Sequence, residues 1–173
     1  MTNHWPLRQL DVKNAILNGH ITEQVYMEQP PGYIDPCFPN HVCLLKKALC
    51  GLKQAPHAWF QQFSSFLILG FYCSRADTSL FVFHRQSDII YLLLYVDDII
   101  LIGNNSSLLA RFTCKLHSEF AIKDLGSLSY FLGLKATPTT DGLFISQLKY
   151  ARDILTRAQL LDSKPVHTPM VVS

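Results

Sequence analysis

The stretch IIYLLLYVDDIILIG, residues 89–103, places two adjacent aspartates inside the most apolar run of the chain. Burying an unpaired carboxylate is costly, so this arrangement needs a structural reason. The enrichment in Ile and Tyr favours strands over a helix, and we predict a β-hairpin from Ile89 to Gly103. A tight turn holding Asp97 and Asp98 would let the strands be buried while the carboxylates reach the edge of the sheet.

The same run is too short to cross a membrane. Its uncharged part, Ile89 to Val96, falls far below the ~20 residues that a spanning helix requires. Two carboxylates near the centre make insertion of the whole run more costly still. We therefore expect no membrane partner.

Composition sets the broad class of the protein. The 173 residues suit one domain, and 49% hydrophobic with 16% charged residues excludes a disordered chain. Two interpretations remain open: a well-packed core, or a piece of a larger protein with some surface meant to be covered. The net charge of +2 permits a nucleic-acid partner but does not argue for one.

The cysteines and histidines show no metal-binding pattern. Five cysteines without a CxxC pair or the His spacing of a zinc site predict buried free thiols in a reducing compartment. The seven histidines are scattered, and we interpret them as structural or surface residues.

The remaining segments alternate between strand and helix patterns. Apolar residues at helical spacing predict helices over 56–69, over about 105–120 with Asn105 or Ser106 as cap, and from Ser146 or Gln147 onward. Strands are predicted at 6–12, 25–29, 81–83, 127–136 and 142–147. Pro30, Pro31 and a turn at Gly32 end the second of these, a surface loop follows at 35–41, and a loose tail begins after Lys164. This order predicts an α+β fold in which helices cover one face of an antiparallel sheet.

The predicted apolar faces of the three helices follow from this spacing. They consist of Trp59, Phe63, Phe66, Leu67 and Gly70; of Leu108, Phe112, Leu116 and Phe120; and of Tyr150, Ile154, Leu155, Ala158 and Leu161.

A third carboxylate strengthens the case for a metal site. Asp11 ends a predicted strand that could lie beside the hairpin. Adjacent carboxylates repel unless a divalent cation binds between them, and Mg²⁺ accepts carboxylate and phosphate oxygens. Two ions held by such carboxylates can activate a hydroxyl and stabilise a leaving phosphate. The alternative, a solvated turn, stays open because Asp is common in turns.

Five segments then resemble one family in that family's order. These are LDVKNAILNG at 10–19, VYMEQPPGY at 25–33, LKKALCGLKQAPHAWF at 45–60, LLLYVDDIILIG at 92–103 and KDLGSLSYFLGLKA at 123–136. They resemble the reverse transcriptase of copia-type LTR retrotransposons, and the resemblance runs from about residue 8 to 170.

The resemblance implies the palm of a right-hand polymerase that performs RNA-directed DNA synthesis. Its cofactor would be Mg²⁺ as two ions, with Mn²⁺ as a substitute, and its partners an RNA template, a DNA primer and deoxynucleoside triphosphates. It implies that residues 1–173 are a partial domain comprising palm and primer grip. Fingers, integrase, protease and ribonuclease H would belong to the parent polyprotein, in a cytoplasmic particle or the nucleus.

The resemblance also assigns roles to residues. Asp11 and Asp97 would be the main metal ligands and Asp98 a weaker one. Lys123 would protonate the pyrophosphate leaving group, unless it is a solvent-exposed lysine at a helix end. The residues implied to line the nucleotide pocket or to hold template and primer are Ile16, Cys50, Gly51, Lys53, Gln54, Tyr95, Val96, Tyr130, Leu132 and Gly133.

Three positions depart from the family pattern. Ile16 stands where the family has an aromatic residue that rejects a 2′-hydroxyl, so sugar selection is affected. Cys50 replaces Tyr. His57 replaces Arg, which removes a permanent charge and bidentate phosphate contacts. Trp59 is retained, and we interpret it as an anchor of the helix in the core.

Three functions compete at this point. The first is nucleotidyl transfer by a reverse transcriptase. The second is a catalytically inactive retroelement remnant that folds as a palm. The third, a nuclease using the same carboxylates, ranks last because the sequence offers no additional His or Glu constellation.

Overall fold

The computed structural model describes residues 5–68, 70–140 and 142–164. The chain divides into two compact units, which meet in sequence between Ser127 and Leu128. The described elements, in chain order, are β1 (Leu7–Val12), α1 (Ala15–Asn18), β2 (Tyr26–Glu28), β3 (Val42–Leu44), α2 (Ala55–Leu67), β4 (Tyr72–Cys73), β5 (Leu80–Arg85), β6 (Asp88–Tyr95), β7 (Asp98–Gly103), α3 (Ser106–Glu119), β8 (Ile122–Gly126), β9 (Tyr130–Phe131), β10 (Leu134–Thr139), β11 (Gly142–Ser146) and α4 (Leu148–Arg157).

The first unit is built on a six-stranded sheet in the order β4-β5-β6-β7-β1-β8, with every neighbouring pair antiparallel. Strands β6 and β7 form the predicted hairpin. The predicted α+β class with an antiparallel sheet is therefore confirmed. One detail was wrong: the turn consists of Val96 and Asp97, and Asp98 is already the first residue of β7. The reason is the two-residue loop, which pairs Tyr95 directly with Asp98.

The core lies on one face of this sheet, against α2 and α3. Side chains alternate along a strand, and on β7 this puts Ile99 and Leu101 on the buried face. The buried apolar residues that share this core are Leu10 and Val12 of β1, Ile90, Leu92 and Leu94 of β6, Trp59, Phe63 and Leu67 of α2, and Leu109 and Leu116 of α3. Asp11 and Asp98 alternate with these buried residues and therefore lie on the opposite face of the sheet, away from the core.

Helices α2 and α3 start close to where the sequence predicts. Helix α2 begins one residue before Pro56, whose ring suits the first turn. Helix α3 is capped by Asn105, whose side chain accepts a hydrogen bond from the Leu108 N–H at 3.1 Å. The buried stripe of α3 differs from the prediction. Leu109, Thr113 and Leu116 face the core, while Leu108 and Phe112 pack at its margin.

Helix α3 approaches the sheet closely at Gly103. A Cβ there would meet the Ile89 carbonyl oxygen at 2.9 Å and Leu109 Cδ1 at 3.1 Å. We expect Gly103→Ala to lower the free energy of unfolding by about 1–3 kcal/mol, measured by urea denaturation, because the added methyl overpacks the joint. Gly70→Ala is the control, since its Cβ would meet Phe83 at an ordinary 3.5 Å. Equal effects of the two substitutions would contradict the prediction.

Four short elements were not predicted: α1, β3, β4 and β8. Strand β3 has only three residues. Helix α1 has four residues and β4 has two, so neither gives a periodic signal. Strand β8 reads Ile-Lys-Asp-Leu-Gly, which lacks an apolar alternation because it is the edge strand of the sheet.

The predicted strand at 25–29 is confirmed as β2, which pairs with β3. The predicted surface loop between them is ordered by the side chain of Gln29. Its amide nitrogen donates to the Phe38 carbonyl at 2.8 Å and to the His41 carbonyl at 2.9 Å. Its amide oxygen accepts from the Asp35 N–H at 2.7 Å.

The cysteines are free, as predicted, but their predicted burial was wrong. Cys37, Cys50, Cys73 and Cys114 are exposed and Cys43 is half-buried. They lie on loops, on edge strands and on the outer side of α3. None of these positions faces the core, so the thiols are not buried.

The second unit contains a three-stranded sheet in the order β11-β10-β9, followed by α4. The predicted strand at 127–136 is broken by a turn at Leu132 and Gly133, whose φ angles are 49° and 80°. The predicted pairing of the 142–147 segment is confirmed by β10 and β11. The apolar residues predicted for the last helix do not form a buried stripe, since every residue of α4 is exposed. The predicted loose tail lies almost wholly outside the described residues.

Within the described ranges, no helix is both long and apolar enough to span a bilayer.

Candidate active site

Four polar side chains line up across neighbouring strands of the six-stranded sheet. Tyr95 of β6 pairs with Asp98 of β7, Asp98 pairs with Asp11 of β1, and Asp11 pairs with Lys123 of β8. Residues directly opposite each other in antiparallel strands share a face, with Cα atoms about 4.5–5.5 Å apart. These four residues, which we call the carboxylate row, cross the face opposite the helices.

The hairpin turn beside this row is held from three sides. The Val12 N–H donates to the Asp97 carbonyl at 2.8 Å, and the Trp59 indole N–H donates to the Val96 carbonyl at 2.6 Å. The third constraint is the β6–β7 pairing itself. Trp59 is buried as predicted, and the hydrogen bond from its indole to the turn was not predicted.

Val96 adopts a backbone conformation that is unusual for its type. Its φ of 53° lies in the left-handed region, where a β-branched residue is strained. Such strain costs about 1–3 kcal/mol and persists only where surrounding contacts enforce it. The hydrogen bond from Trp59 is one such contact, so the turn is a preorganised feature of the site.

The two carboxylates of the row, Asp98 and Asp11, interact electrostatically with each other and with the neighbouring Asp97 of the turn. Partial burial raises the pKa of Asp98, the negative charge of Asp97 raises this pKa further, and Asp11 adds to the effect. A hydrogen bond from the Gln9 side chain opposes this rise. Ionisation of Asp98 is therefore less favourable in the folded chain than in the unfolded chain, and a bound cation would oppose this rise of the pKa.

The donor chemistry of this region suits a hard divalent cation. Asp11, Asp97 and Asp98 offer carboxylate oxygens, which Mg²⁺ and Mn²⁺ prefer. Among the described side chains, Arg8–Asp124 is the one ion pair, so these three carboxylates are not neutralised by a basic residue. In the same part of the chain, no three His, Cys, Asp or Glu side chains are arranged so that they could hold one metal ion. The carboxylates thus fit the cation by chemistry and charge, and their joint coordination stays a prediction.

Lys123 lies on the edge strand of the six-stranded sheet. It is exposed, as the alternative held, but it belongs to β8 rather than to a helix end. Helix α3 ends at Glu119, and the chain then turns into the edge strand. The register puts Lys123 opposite Asp11, on the face of the carboxylate row.

The other predicted contact residues fall into three groups. Tyr95 and Val96 are exposed at the hairpin end, with 53% and 38% of their surface accessible. Ile16 is half-buried in α1, directly after β1. The structure shows no contact that assigns these residues to a nucleotide or primer, and their roles stay predictions.

The segment before α2 forms a turn in which Cys50, Gly51 and Lys53 are exposed. Gln54 follows as the N-cap of α2 and lines a groove of about 180 Å³ together with His57. Their predicted role at the template stays a prediction.

The predicted primer-holding residues belong to the second unit. Tyr130 lies in β9, and Leu132 and Gly133 form the turn that joins β9 to β10. Their contact with a primer also stays a prediction.

One residue of the site, Gln9, was not predicted from the sequence. It stands two residues before Asp11 on β1 and therefore on the same face, and it hydrogen-bonds Asp98. A polar residue at that spacing in an otherwise alternating strand is the signal that could have found it.

Comparison with known proteins defines the class of protein. The profile of the family described as "Reverse transcriptase (RNA-dependent DNA polymerase)" matches residues 1–172. The chain belongs to this family.

The relatives place it more narrowly, with the reverse transcriptase domains of copia-type Pol polyproteins. It is 50% identical over 170 residues to the retrovirus-related Pol polyprotein from transposon RE1 of Arabidopsis thaliana. It is 49% identical over 170 residues to the one from transposon RE2 of the same plant. It is 39% identical over 168 residues to that from transposon TNT 1-94 of Nicotiana tabacum.

These matches cover 98%, 98% and 95% of this chain but 12%, 12% and 13% of the relatives. The chain thus spans about an eighth of the length of those polyproteins. No solved structure matches the chain significantly.

Proposed function

We propose that this chain carries the catalytic carboxylates of an RNA-directed DNA polymerase and forms the palm of that enzyme. The observation that carries the proposal is the carboxylate row, in which the register of three strand pairs brings Asp98, Asp11 and Lys123 onto one face. Family membership supports the reaction class, and the shared face of these residues supports the choice of this site.

Asp11, Asp97 and Asp98 would hold two divalent cations, Mg²⁺ or Mn²⁺. Bound there, the cations would lower the pKa of a primer 3′-hydroxyl and neutralise charge that develops on phosphate oxygens. Burial and the neighbouring charge of Asp97 both raise the pKa of Asp98, and a bound cation would offset this repulsion.

The residues of the row would position the reacting groups. The primer 3′-oxygen attacks the α-phosphorus of a deoxynucleoside triphosphate and forms a P–O bond, while the bond to pyrophosphate breaks. The 3′-hydroxyl proton passes to water, and the pyrophosphate oxygen gains a proton, for which Lys123 is the proposed donor. Its position opposite Asp11 supports that role, because it lies at the edge of the row rather than between the carboxylates.

Several residues outside the row are proposed to hold nucleic acid and nucleotide. Tyr95 and Val96 are proposed to contact the primer end, Ile16 the sugar, and the turn at 50–54 the template and nucleotide. Tyr130, Leu132 and Gly133 of the second unit are proposed to grip the primer strand. Fingers and ribonuclease H would come from other parts of a parent polyprotein.

Primer extension tests the proposal. The purified chain would be incubated with Mg²⁺, an oligo(dT) primer on poly(rA), and dTTP. We expect extension by the wild type and a loss of more than about 100-fold in Asp97→Asn, because a metal ligand should cost at least as much as a residue that supports one. Glu119→Gln, an exposed carboxylate at the end of α3, is the matched control and should retain the rate.

Two outcomes would contradict the proposal. Equal extension by wild type and Asp97→Asn would show that the activity does not use this site. No extension by a chain that melts cooperatively in circular dichroism would contradict autonomous activity and favour the alternative, a catalytically inactive remnant that folds as a palm.

A further inference from the structure

Gln9 is one of two buried polar residues in the described part of the chain, with 5% of its surface accessible. The other, Thr113, satisfies its hydroxyl within α3 by donating to the Leu109 carbonyl at 2.9 Å. A buried side-chain amide without a partner destabilises the fold, so a long polar residue in a central strand needs a specific contact. For Gln9 that contact is the carboxylate of Asp98.

The sheet register explains how Gln9 reaches Asp98. Gln9 pairs with Ile100 of β7, and Asp98 lies two residues before Ile100 on the same face. Gln9 and Asp98 are therefore diagonal neighbours, a distance that a long side chain can bridge. Since an ionised carboxylate only accepts hydrogen bonds, the Gln9 amide nitrogen is the donor.

On the side of Gln9 away from β7, the pairing of β1 with β8 contains a bulge. Between Gln9 and Leu10 the pairing of β1 with β8 shifts register, and Gln9 faces Gly126, which has no side chain. The Asp124 carboxylate stabilises this bulge, because it accepts from the Gly126 N–H at 2.8 Å and pairs with Arg8 at 2.7 Å. Bulges commonly adjust side-chain direction next to active sites.

We propose that Gln9 is a positioning residue that orients the Asp98 carboxylate for cation binding. The proposal rests on the function proposed above. The amide occupies part of the acceptor capacity of Asp98 and restrains its rotation, leaving its remaining lone pairs for the cation. Hydrogen bonds that orient metal-binding side chains in this way typically change metal affinity or activity by about 10–100-fold.

Gln9→Leu removes the donor while keeping a side chain of similar size. We expect Mn²⁺ affinity, measured from the electron paramagnetic resonance signal of free Mn²⁺, to fall about 10–100-fold. In an Asp98→Asn background, Gln9→Leu should change Mn²⁺ affinity little, because the group that it orients no longer binds. A purely structural role would give the same loss in both backgrounds. In primer extension, Gln9→Leu should lower kcat and leave KM for dTTP unchanged.

A separate measurement tests the contact without any cation. The side-chain amide signals of Gln9 in a ¹H–¹⁵N spectrum, identified by their absence in Gln9→Leu, should move in Asp98→Asn and stay in place in Glu119→Gln. Unmoved signals would overturn the inference. So would wild-type Mn²⁺ affinity and kcat in Gln9→Leu, although the proposed function would then stand. A wild type that binds no Mn²⁺ and extends no primer would overturn the proposed function, and with it the positioning role, even if the amide signals move.

Discussion

Replacing Trp59 by Ala is expected to lower the free energy of unfolding by about 3–5 kcal/mol, measured by urea denaturation. Trp59 is 1% exposed, and its ring lies 5.3 Å from the centroids of both Phe63 and Phe120. The truncation removes this packing and leaves a cavity between α2 and the sheet. It also leaves the Val96 carbonyl without its indole donor.

Trp59→Phe separates the two contributions. An aromatic ring remains in the core, but the hydrogen bond to the turn is lost, so we expect a smaller decrease of about 1–3 kcal/mol. Tyr33→Ala is the control, because Tyr33 is 83% exposed and its loss should stay within about 0.5 kcal/mol. A Trp59→Ala protein as stable as the control would refute the assignment of this indole to the core.

The parts of the fold with strong periodicity were predictable from the sequence. The 89–103 hairpin and helices α2 and α3 each carry an apolar pattern longer than a turn, and their predicted bounds differ from the structure by a few residues at most. The short elements lack such a pattern. Strand β8 is stabilised by its pairing with β1, which is distant in sequence. Such a pairing cannot be predicted from the pattern of a charged five-residue segment.

The candidate site was predictable in part for the same reason. Two adjacent aspartates in an apolar run predict a turn that brings their carboxylates to the edge of the sheet. A third aspartate at the end of a predicted strand suggests that a third carboxylate lies nearby. The pairing of Asp11 with Asp98 and of Asp11 with Lys123 depends on strand order and register, which spacing does not determine. The contact between Gln9 and Asp98 depends on the same register.

Replacing Asp98 by Asn is expected to stabilise the chain at pH 7 while abolishing the proposed polymerase activity. Burial and the charge of Asp97 raise the pKa of Asp98 in the folded state. Ionisation of this group therefore opposes folding, and Asn removes the charge while its carbonyl can still accept a hydrogen bond from Gln9. We expect Tm to rise by about 2–4 °C without added metal, in the range of other stabilising replacements at functional sites.

The pH dependence of this difference follows from the raised pKa. The contribution of Asp98 to stability is fully present below its unfolded-state pKa of about 3.9 and is lost as pH rises through the higher folded-state pKa. The Tm advantage of Asp98→Asn should therefore be complete at pH 7 and vanish near pH 3. Asp77→Asn should show the opposite sign, because hydrogen bonds from Ser79 lower the pKa of Asp77 and favour its ionised form. Thermal melts of the three proteins at both pH values provide the comparison. A lower Tm for Asp98→Asn than for the wild type at pH 7 would mean that Asp98 stabilises the fold, and the carboxylate row would then be a structural feature rather than a site poised to bind cations.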